Sequence, residues 1–270
     1  MSARLGGKVA FITGAARGQG RAHAVRLASE GADILALDLA GPLPGVPYDS
    51  ATPDDLAETA RAVEALDRRV LTHEGDVRDF DGMKAFVDRG VAEFGRLDVV
   101  VANAGICTGA RFWEISVEQW HEVIDTNLTG VFHTLRASVP ILIEQGTGGS
   151  IIVTSSVAGL RGLPFLAHYS ASKHAVVGLA RSVANEVGSF GIRVNTVHPH
   201  GVDTPLGTGP DLMELIAEHA ATLGPIFMAT LPYRQSTPED IAGTVAWLAS
   251  DESRHVTGAA IPVDLGTLAR

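Results

Sequence analysis

Short apolar runs and longer amphipathic stretches alternate along the 270-residue chain. The runs are rich in β-branched residues and almost continuously apolar, a pattern typical of strands buried on both faces of a parallel sheet. They are KVAFIT (8–13), ADILALD (32–38), RVLTHEG (69–75), LDVVVAN (97–103), GSIIVTS (149–155), IRVNTVH (192–198) and AAIPVD (259–264). Between them, stretches such as GRAHAVRLASEG space their apolar residues as a helix does. We therefore predict a single α/β domain over 1–270, with seven mainly parallel strands in a doubly wound, Rossmann-type sheet flanked by helices.

Two segments interrupt this alternation. AGPLPGVPYDSATP (40–53) carries four prolines and two glycines and is predicted to be an ordered loop insertion. The segment at about 204–236 is long, contains a short helical pattern and carries many apolar residues. Loops of this length in a compact domain are usually binding loops or lids. Because both segments follow predicted strand ends, we expect them to border a ligand site, with 204–236 as the substrate loop.

Composition and charge exclude several classes of function. The chain is 46% apolar and 19% charged, which argues against disorder. Its formal net charge of −10 and lack of a basic run argue against a nucleic-acid partner and against binding to an anionic membrane surface. No apolar run is long enough for a membrane span, and only MSARLGG precedes the first run, so we expect no signal peptide. With one cysteine, Cys107, no intrachain disulfide is possible, and a cytoplasmic location is expected.

A glycine-rich turn, TGAARGQG, lies between the first predicted strand and helix. Such a turn brings main-chain N–H groups and a helix N-terminus close to a pyrophosphate. Its glycines, Gly14, Gly18 and Gly20, follow a G-x-x-x-G-x-G spacing that differs from the G-x-G-x-x-G fingerprint. An ordinary tight turn is the alternative interpretation. The turn predicts a dinucleotide site that also includes Arg17 and Gln19.

Acidic residues at two further strand ends favour a nucleotide. Asp38 ends the second strand, where a carboxylate accepts both ribose hydroxyls of an adenosine and repels a 2′-phosphate, so NAD is predicted rather than NADP. Arg17 argues for NADP, since a basic residue can pair with a 2′-phosphate. We interpret Arg17 as a solvated loop residue rather than as a ligand of a 2′-phosphate. Asp76 either accepts the adenine amino group or caps the following helix. ANAG (102–105) is predicted to allow close approach of the cofactor.

Tyr169 and Lys173 stand four residues apart in YSASK, although the chain has three tyrosines and three lysines in all. On a helix the two side chains share a face. An ammonium nearby favours the phenolate and is expected to lower the pKa of the phenol, making Tyr169 an acid or base near neutrality. The alternative is a surface tyrosine beside a solvated lysine.

Together these motifs resemble the one-domain short-chain dehydrogenases/reductases, whose TGxxxGxG, NNAG and YxxxK patterns correspond to TGAARGQG, ANAG and YSASK. DTNLTG carries the helical asparagine of that family as Asn127, and the matches run from residue 8 to 264. The insertion at 40–53 is similar to that of the mycofactocin-associated, carveol dehydrogenase-like branch. The resemblance implies a tightly held NAD(H), covered by the insertion and recycled in place by the redox peptide mycofactocin.

The resemblance also implies residue roles. Ser156 holds the substrate oxygen, whereas Ser155 is structural; Asn127 positions a water beside Lys173, which also binds the nicotinamide ribose. The expected cofactor-binding set is Gly14, Arg17, Gly18, Gln19, Gly20, Asp38, Leu39, Asp76, Val77, Asn103, Ala104, Gly105, Tyr169, Lys173, Pro199, Val202 and Thr204. His200 follows Pro199 at a position where the family usually has a small residue. This difference leaves the substrate class open.

The expected reaction is reversible oxidation of a hydrophobic secondary alcohol to its ketone. Ser156, Tyr169, Leu206, Met213 and Phe227 are the predicted substrate-binding residues. No metal is expected, because no ligand cluster accompanies the two histidines of HPH (198–200). The alternatives are a freely exchanging, NADPH-dependent ketoacyl reductase and a non-catalytic NAD-sensing protein. A homotetramer is expected from the resemblance alone.

Overall fold

Seven parallel strands form one sheet in the computed structural model, which describes residues 3–269. The strands are β1 (Val9–Thr13), β2 (Asp33–Asp38), β3 (Val70–Glu74), β4 (Val99–Ala102), β5 (Gly149–Thr154), β6 (Ile192–Pro199) and β7 (Ala260–Val263). Their order in the sheet is β3-β2-β1-β4-β5-β6-β7, and every neighbouring pair is parallel. The fold class predicted from the apolar runs is confirmed, and each strand lies within the predicted run to within one or two residues.

Eight α-helices within residues 3–269 connect these strands. They are α1 (Gly18–Ser29), α2 (Pro53–Glu64), α3 (Phe80–Phe94), α4 (Val117–Ile124), α5 (Gly130–Gln145), α6 (Ala167–Val187), α7 (Pro210–Glu218) and α8 (Pro238–Ala249). Local chemistry fixes several helix starts: α2 begins at a capping box between Thr52 and Asp55, with proline as its first residue. The predicted insertion therefore ends where its last proline begins a helix.

The helices cover both faces of the sheet, and each face has its own apolar core. One core packs α3, α5 and α6 against side chains such as Phe11, Leu35 and Ile151. The other packs α1 and α8 against side chains such as Ile12 and Ile152. Neighbouring residues of one strand thus point into different cores, which explains why the strands are apolar at nearly every position.

The sheet order reverses between β1 and β4. The chain winds outward from β1 to β3, crosses back to β4, and then winds outward in the other direction. Ligands in such sheets bind beyond the carboxyl ends of the strands at this switch point. The turn after β1, the ANAG segment after β4 and the segments after β5 and β6 all lie at this edge. No helix within residues 3–269 is long and apolar enough to cross a membrane.

Candidate active site

The turn after β1 forms one wall of a long cleft. Gly14 and Gly18 adopt left-handed backbone conformations, with φ of 67° and 54°. A Cβ on Gly20 would overlap the carbonyl oxygen of Gly14, and a Cβ on Gly14 would lie 2.8 Å from Ala104 Cα. The turn therefore packs directly against the ANAG segment. Glycine is required at Gly14 by its backbone conformation and by the close approach, and at Gly20 by the close approach.

The cleft continues from this turn toward β2 and β3. Its lining includes Gly14, Arg17, Gly18, Gln19, Gly20, Asp38, Leu39, Asp76, Val77, Asn103, Ala104, Gly105 and Thr204. The structure thus brings together all but four of the expected cofactor-binding residues in one cleft. The other four, Tyr169, Lys173, Pro199 and Val202, line an adjoining cavity. Gln19, Asn103, Gly105 and Thr204 line both, so the cleft and the cavity are continuous.

Asp38 lies at the β2 end of the cleft and is held by main-chain hydrogen bonds. One carboxylate oxygen accepts from Ala16 N–H at 2.9 Å and the other from Ala40 N–H at 2.9 Å. Each oxygen retains acceptor capacity, because a carboxylate has about four acceptor sites. The carboxylate is therefore oriented with unused acceptors at the cleft, as contact with two hydroxyl groups requires.

Two interpretations of polar residues in the cleft are corrected. Arg17 is not a solvated loop residue: its guanidinium donates to the main-chain carbonyl of Asp49, within the insertion. Asp76 does not cap α3, because Asp79 occupies that position and accepts from Gly82 N–H at 3.1 Å. Asp76 instead pairs with Arg78, whose charge and hydrogen bonds hold the pKa of that carboxyl low against the opposing effect of burial.

Helix α6 places Tyr169 and Lys173 in the cavity beside the cleft, with Lys173 Nζ 5.6 Å from the centre of the Tyr169 ring. Both side chains are buried. Lys173 Nζ donates to the carbonyl of Thr154 at the end of β5, at 2.8 Å. The alternative of a surface tyrosine beside a solvated lysine is therefore wrong.

The pKa of the tyrosine differs from the sequence expectation. Burial raises the pKa of Tyr169 above its ordinary value, and hydrogen bonding to Ser156 opposes that effect. Burial also lowers the pKa of Lys173 to about 8, so the ammonium that was expected to favour the phenolate is itself disfavoured. Burial outweighs any lowering by the lysine, so the expected net fall of the tyrosine pKa is wrong for this structure. Sequence spacing placed the two groups together but could not give their burial.

The two serines after β5 have different surroundings. Ser155 Oγ donates to the carbonyl of Lys173 at 2.9 Å, so Ser155 ties β5 to α6. Ser156 lines the cavity with Tyr169, and its hydroxyl accepts from Ala158 N–H at 3.1 Å. The Ser156 carbonyl accepts a 2.7 Å hydrogen bond from Nδ1 of the buried His198. His198 is thus a support for the serine that the sequence analysis missed.

Asn127 lies in a π-helical turn, Asp125–Thr129, between α4 and α5. It is fully buried, and its side chain accepts from Ile106 N–H at 2.8 Å and donates to Ile106 C=O at 2.9 Å. A Cβ on Gly105 would lie 3.2 Å from Asn127 Oδ1 and 3.4 Å from Lys173 Nζ. The asparagine amide therefore fixes the loop after β4 and lies next to the lysine. Short π-helical turns of this kind within helices are frequent at functional sites.

The adjoining cavity has a volume of about 290 Å³. The predicted substrate residues Leu206, Met213 and Phe227 line it together with Ser156 and Tyr169. Other apolar residues that line it include Cys107, Leu163, Leu166, Leu212 and Ile216. Burial raises the pKa of the Cys107 thiol to about 12, so the thiol is neutral. The cavity thus joins a polar buried end to an apolar body.

The insertion at 40–53 crosses the cleft and reaches the cavity. The sequence predicted this loop but not which of its residues contact the site. Tyr48 Oη accepts a hydrogen bond from Cys107 N–H at 3.2 Å. Leu43 and Val46 pack against the cluster that contains Tyr169. A Cβ on Gly209 would contact the Tyr48 ring at 3.8 Å, so the insertion also touches the substrate loop. We call residues 40–52 the strap. In the sequence, the one sign of these contacts was a tyrosine, Tyr48, in a proline-rich loop.

Within residues 3–269, no group of three or more histidine, cysteine, aspartate or glutamate side chains could hold a metal ion. His198 and His200 are instead engaged by hydrogen bonds, and burial lowers the pKa of both.

Comparison with known proteins gives full-length matches. A family profile described as Enoyl-(Acyl carrier protein) reductase matches residues 14–267. An uncharacterised NAD-dependent oxidoreductase of Mycobacterium tuberculosis is 52% identical over 99% of both chains. The (-)-trans-carveol dehydrogenase of Rhodococcus erythropolis is 44% identical, covering 98% of this chain and 99% of its own.

A solved structure is similar throughout its length. The crystal structure of carveol dehydrogenase from Mycobacterium avium in complex with NAD superposes with a TM-score of 0.94 at 49% identity, covering 99% of each chain. The similarity includes both segments that interrupt the strand–helix alternation, since almost no residue of either chain is left uncovered.

Proposed function

The chain belongs to the short-chain dehydrogenase/reductase family, and from that premise we propose that it interconverts a hydrophobic secondary alcohol and its ketone with NAD. The observation that carries this proposal is the meeting of Tyr169, Ser156 and Lys173 in one cavity that opens into a glycine-walled cleft. Acid–base and hydrogen-bonding groups thus stand beside a dinucleotide-shaped groove.

The residues of the cleft fit NAD. The glycine turn leaves a cradle that any side chain would fill, and Asp38 offers acceptors that suit ribose hydroxyls and repel a 2′-phosphate. Gln19 Oε1 is buried in the cleft wall with no hydrogen-bond partner among residues 3–269, as expected of a group kept for a ligand. When bound, NAD accepts or supplies the hydride of the reaction.

The protein's own groups handle the proton. In the oxidative direction Tyr169 takes the proton of the alcohol hydroxyl, and in the reductive direction it returns that proton to the carbonyl oxygen. Ser156 holds the same oxygen by a hydrogen bond. Lys173 supplies positive charge beside the phenolate that forms, and Asn127, fixed through Ile106, keeps the loop beside the lysine in place. We propose that this asparagine also holds a water in the proton path.

We further propose that NAD(H) is held through many turnovers. The strap is attached on both sides of the cleft, by Arg17 on the glycine turn and by Cys107 N–H beside the cavity. NAD(H) can therefore leave the cleft only after the strap detaches. An enzyme of this kind needs an electron acceptor that reaches the cofactor in place, and the branch resemblance indicates mycofactocin for that role.

The test is to purify the protein without added cofactor, denature it and identify what is released. Near-stoichiometric NAD or NADH supports a retained cofactor, and turnover would then require an artificial electron acceptor. Empty protein that oxidises secondary alcohols with added NAD would overturn the retained cofactor and mycofactocin while leaving the reaction intact. Protein that oxidises none, with or without acceptor, would overturn the reaction itself.

A homotetramer is also proposed, through the helices that carry Asn127 and Tyr169 and through the C-terminal strand. Phe132 on α5 leaves 43% of its surface exposed in the single chain, as expected of a face that another copy covers. Sedimentation analysis decides the oligomeric state, and a monomer at micromolar concentration would contradict the proposal.

A further inference from the structure

We propose that the substrate alcohol carries an anionic group, of the carboxylate class, remote from its reacting carbon, and that Arg234 binds that group. This inference rests on the proposed function, because it concerns the same cavity. It starts from the charges in the cavity wall. Lys173 and Arg234 line it, and no aspartate or glutamate among the described residues does so. In a protein of net charge −10, a cavity whose only fixed charges are cationic favours an anion.

Of the two cations, Arg234 is the one available to a substrate. Lys173 is buried and already donates to the carbonyl of Thr154. Arg234 is exposed at the cavity mouth, and within residues 3–269 its guanidinium has no ion-pair or hydrogen-bond partner. Gln235, half-buried next to it, lines the same wall and adds amide donors. A guanidinium with five donors suits a planar carboxylate in particular.

The segment that carries Arg234 is fixed on its C-terminal side. Ser236 is buried and forms a parallel bridge to Val202, in the loop after β6. Its N–H donates to the carbonyl of Gly201 at 2.9 Å, and its carbonyl accepts from Asp203 N–H at 2.9 Å. Arg234 is therefore held two residues from Ser236, which pairs with the loop that carries the expected cofactor-binding residues Val202 and Thr204.

The N-terminal side of the segment is fixed as well. Thr230 N–H and Leu231 N–H both donate to the carbonyl of Leu265, at 2.9 and 3.0 Å. Upstream of these residues, His200 Nε2 donates to the carbonyl of Phe227 at 3.1 Å, which holds the apolar wall of the cavity. Only 232–235 are left between the two attachments. The backbone of such a short span has a fixed position, so Arg234 stays beside the cavity. An arginine that only faced solvent would not need this attachment.

The cavity thus has three chemically different parts. Tyr169 and Ser156 form the buried end, where the alcohol reacts. Leu166 and Leu212 belong to the apolar cluster that contains Tyr169, and the exposed Arg234 lines the same cavity. A substrate that matches all three has a hydroxyl, an apolar body and a terminal anion. The anion stays near solvent, so its desolvation cost is small compared with that of a buried charge.

The experiment compares two probes that differ in charge and have the same shape. They are hydroxycyclohexanecarboxylate, with its two groups on opposite ring carbons, and the corresponding carboxamide. For each, kcat/KM is measured with the purified enzyme, its cofactor and an artificial electron acceptor. The variants are Arg234→Gln, which removes the charge, and Arg234→Lys, which keeps it. Arg254→Gln is the matched control, because Arg254 is an exposed arginine beyond the C-terminal end of α8, at the other edge of the sheet.

We expect the wild type to prefer the carboxylate over the carboxamide by about tenfold, as a charge-assisted pair at an accessible site provides. Arg234→Gln should abolish that preference, mainly by lowering kcat/KM for the carboxylate. Arg234→Lys should retain part of the preference, and Arg254→Gln all of it. A wild type without the preference, or an Arg234→Gln variant that keeps it, would overturn the inference.

Failure of the proposed function has a separate signature. If neither probe nor any other secondary alcohol turns over in any variant, the reaction class is wrong, and the inference is then decided by binding. Isothermal titration with cyclohexanecarboxylate and cyclohexanecarboxamide measures affinity without chemistry. Tighter binding of the carboxylate that depends on Arg234 supports the anion site, and equal affinities overturn it.

Discussion

Tyr169 and Lys173 each lie where burial disfavours the charged form, yet the proposed chemistry needs the tyrosine to lose its proton. Burial raises the pKa of Tyr169 and lowers that of Lys173 to about 8. The cost of deprotonating a buried phenol is then part of the barrier in the oxidative direction.

Replacing Tyr169 with Phe removes one hydroxyl and keeps the ring that packs in the cavity. We expect turnover to fall by about 10²- to 10⁴-fold or more, because general acid–base catalysis is lost. The cofactor content should stay that of the wild type, since the ring remains. Steady-state rates and the amount of NAD released on denaturation check both parts. Retained activity would refute the acid–base role of Tyr169.

The direction of the pH dependence follows from the raised pKa of Tyr169. Alcohol oxidation requires the deprotonated tyrosine, whose fraction grows with pH, so kcat/KM should rise roughly tenfold per pH unit below the apparent pKa. Ketone reduction requires the protonated form and should not rise over the same range. Rates in both directions between about pH 6 and pH 9 check this. An oxidation rate that falls with increasing pH would contradict it.

At the level of residues, the sequence predicted positions better than environments. The spacing of Tyr169 and Lys173 on a helix was sufficient to place them together, because helix geometry is local. Burial, and hence the sign of the tyrosine pKa shift, depends on α6 packing against the loops after β4 and β5. That packing is not encoded in the YSASK motif. For the same reason the hydrogen bond from His198 to Ser156 could not be predicted.

Among the elements, the turn between β1 and α1 has the least tolerance for change. Gly20→Ala would place a methyl group onto the carbonyl oxygen of Gly14, so the turn must shift. We expect a loss of bound NAD and a stability loss of about 1–3 kcal/mol, as overpacking typically causes. Cofactor content and thermal unfolding measure the two effects.

The matched control is Gly243→Ala in α8, where a Cβ meets no atom within 4 Å among residues 3–269 outside its own helical turns. It should leave the cofactor content unchanged and raise stability by about 0.5–1 kcal/mol through helix propensity. Equal effects of the two substitutions would show that the tight packing at Gly20 does not matter.

Elements with a regular spacing of apolar residues were predictable from the sequence, and irregular elements were not. All seven strands came from apolar runs because a doubly wound sheet buries both faces. The π-helical turn at Asp125–Thr129 has no comparable pattern: DTNLTG predicted a helical asparagine but not the change in helix type. The strap was predicted as an ordered loop. Its contacts with Cys107 and Arg17 join residues far apart in sequence, which periodicity does not report.

For the molecule as a whole, the strap links the two halves of the site. Tyr48→Phe deletes the hydroxyl that accepts from Cys107 N–H and keeps the ring. We expect NAD to dissociate about three- to tenfold faster, the effect of losing one hydrogen bond. Displacement of bound NADH, followed by its fluorescence, measures this rate.

Tyr233→Phe is the control for that experiment. Tyr233 is 64% exposed and, unlike Tyr48, does not line the cleft. Its substitution should leave the dissociation rate at the wild-type value. If both variants match the wild type, the hydrogen bond to Cys107 does not hold the strap.

The strap also has a kinetic consequence for the whole catalytic cycle. If the dinucleotide is kept in place, as proposed, the ketone leaves before the electron acceptor reacts. The cofactor then behaves as a prosthetic group, and the cycle divides into two half-reactions. Double-reciprocal plots for alcohol and acceptor would be parallel lines, as in a ping-pong mechanism. An exchangeable cofactor would instead give the intersecting lines of a ternary complex.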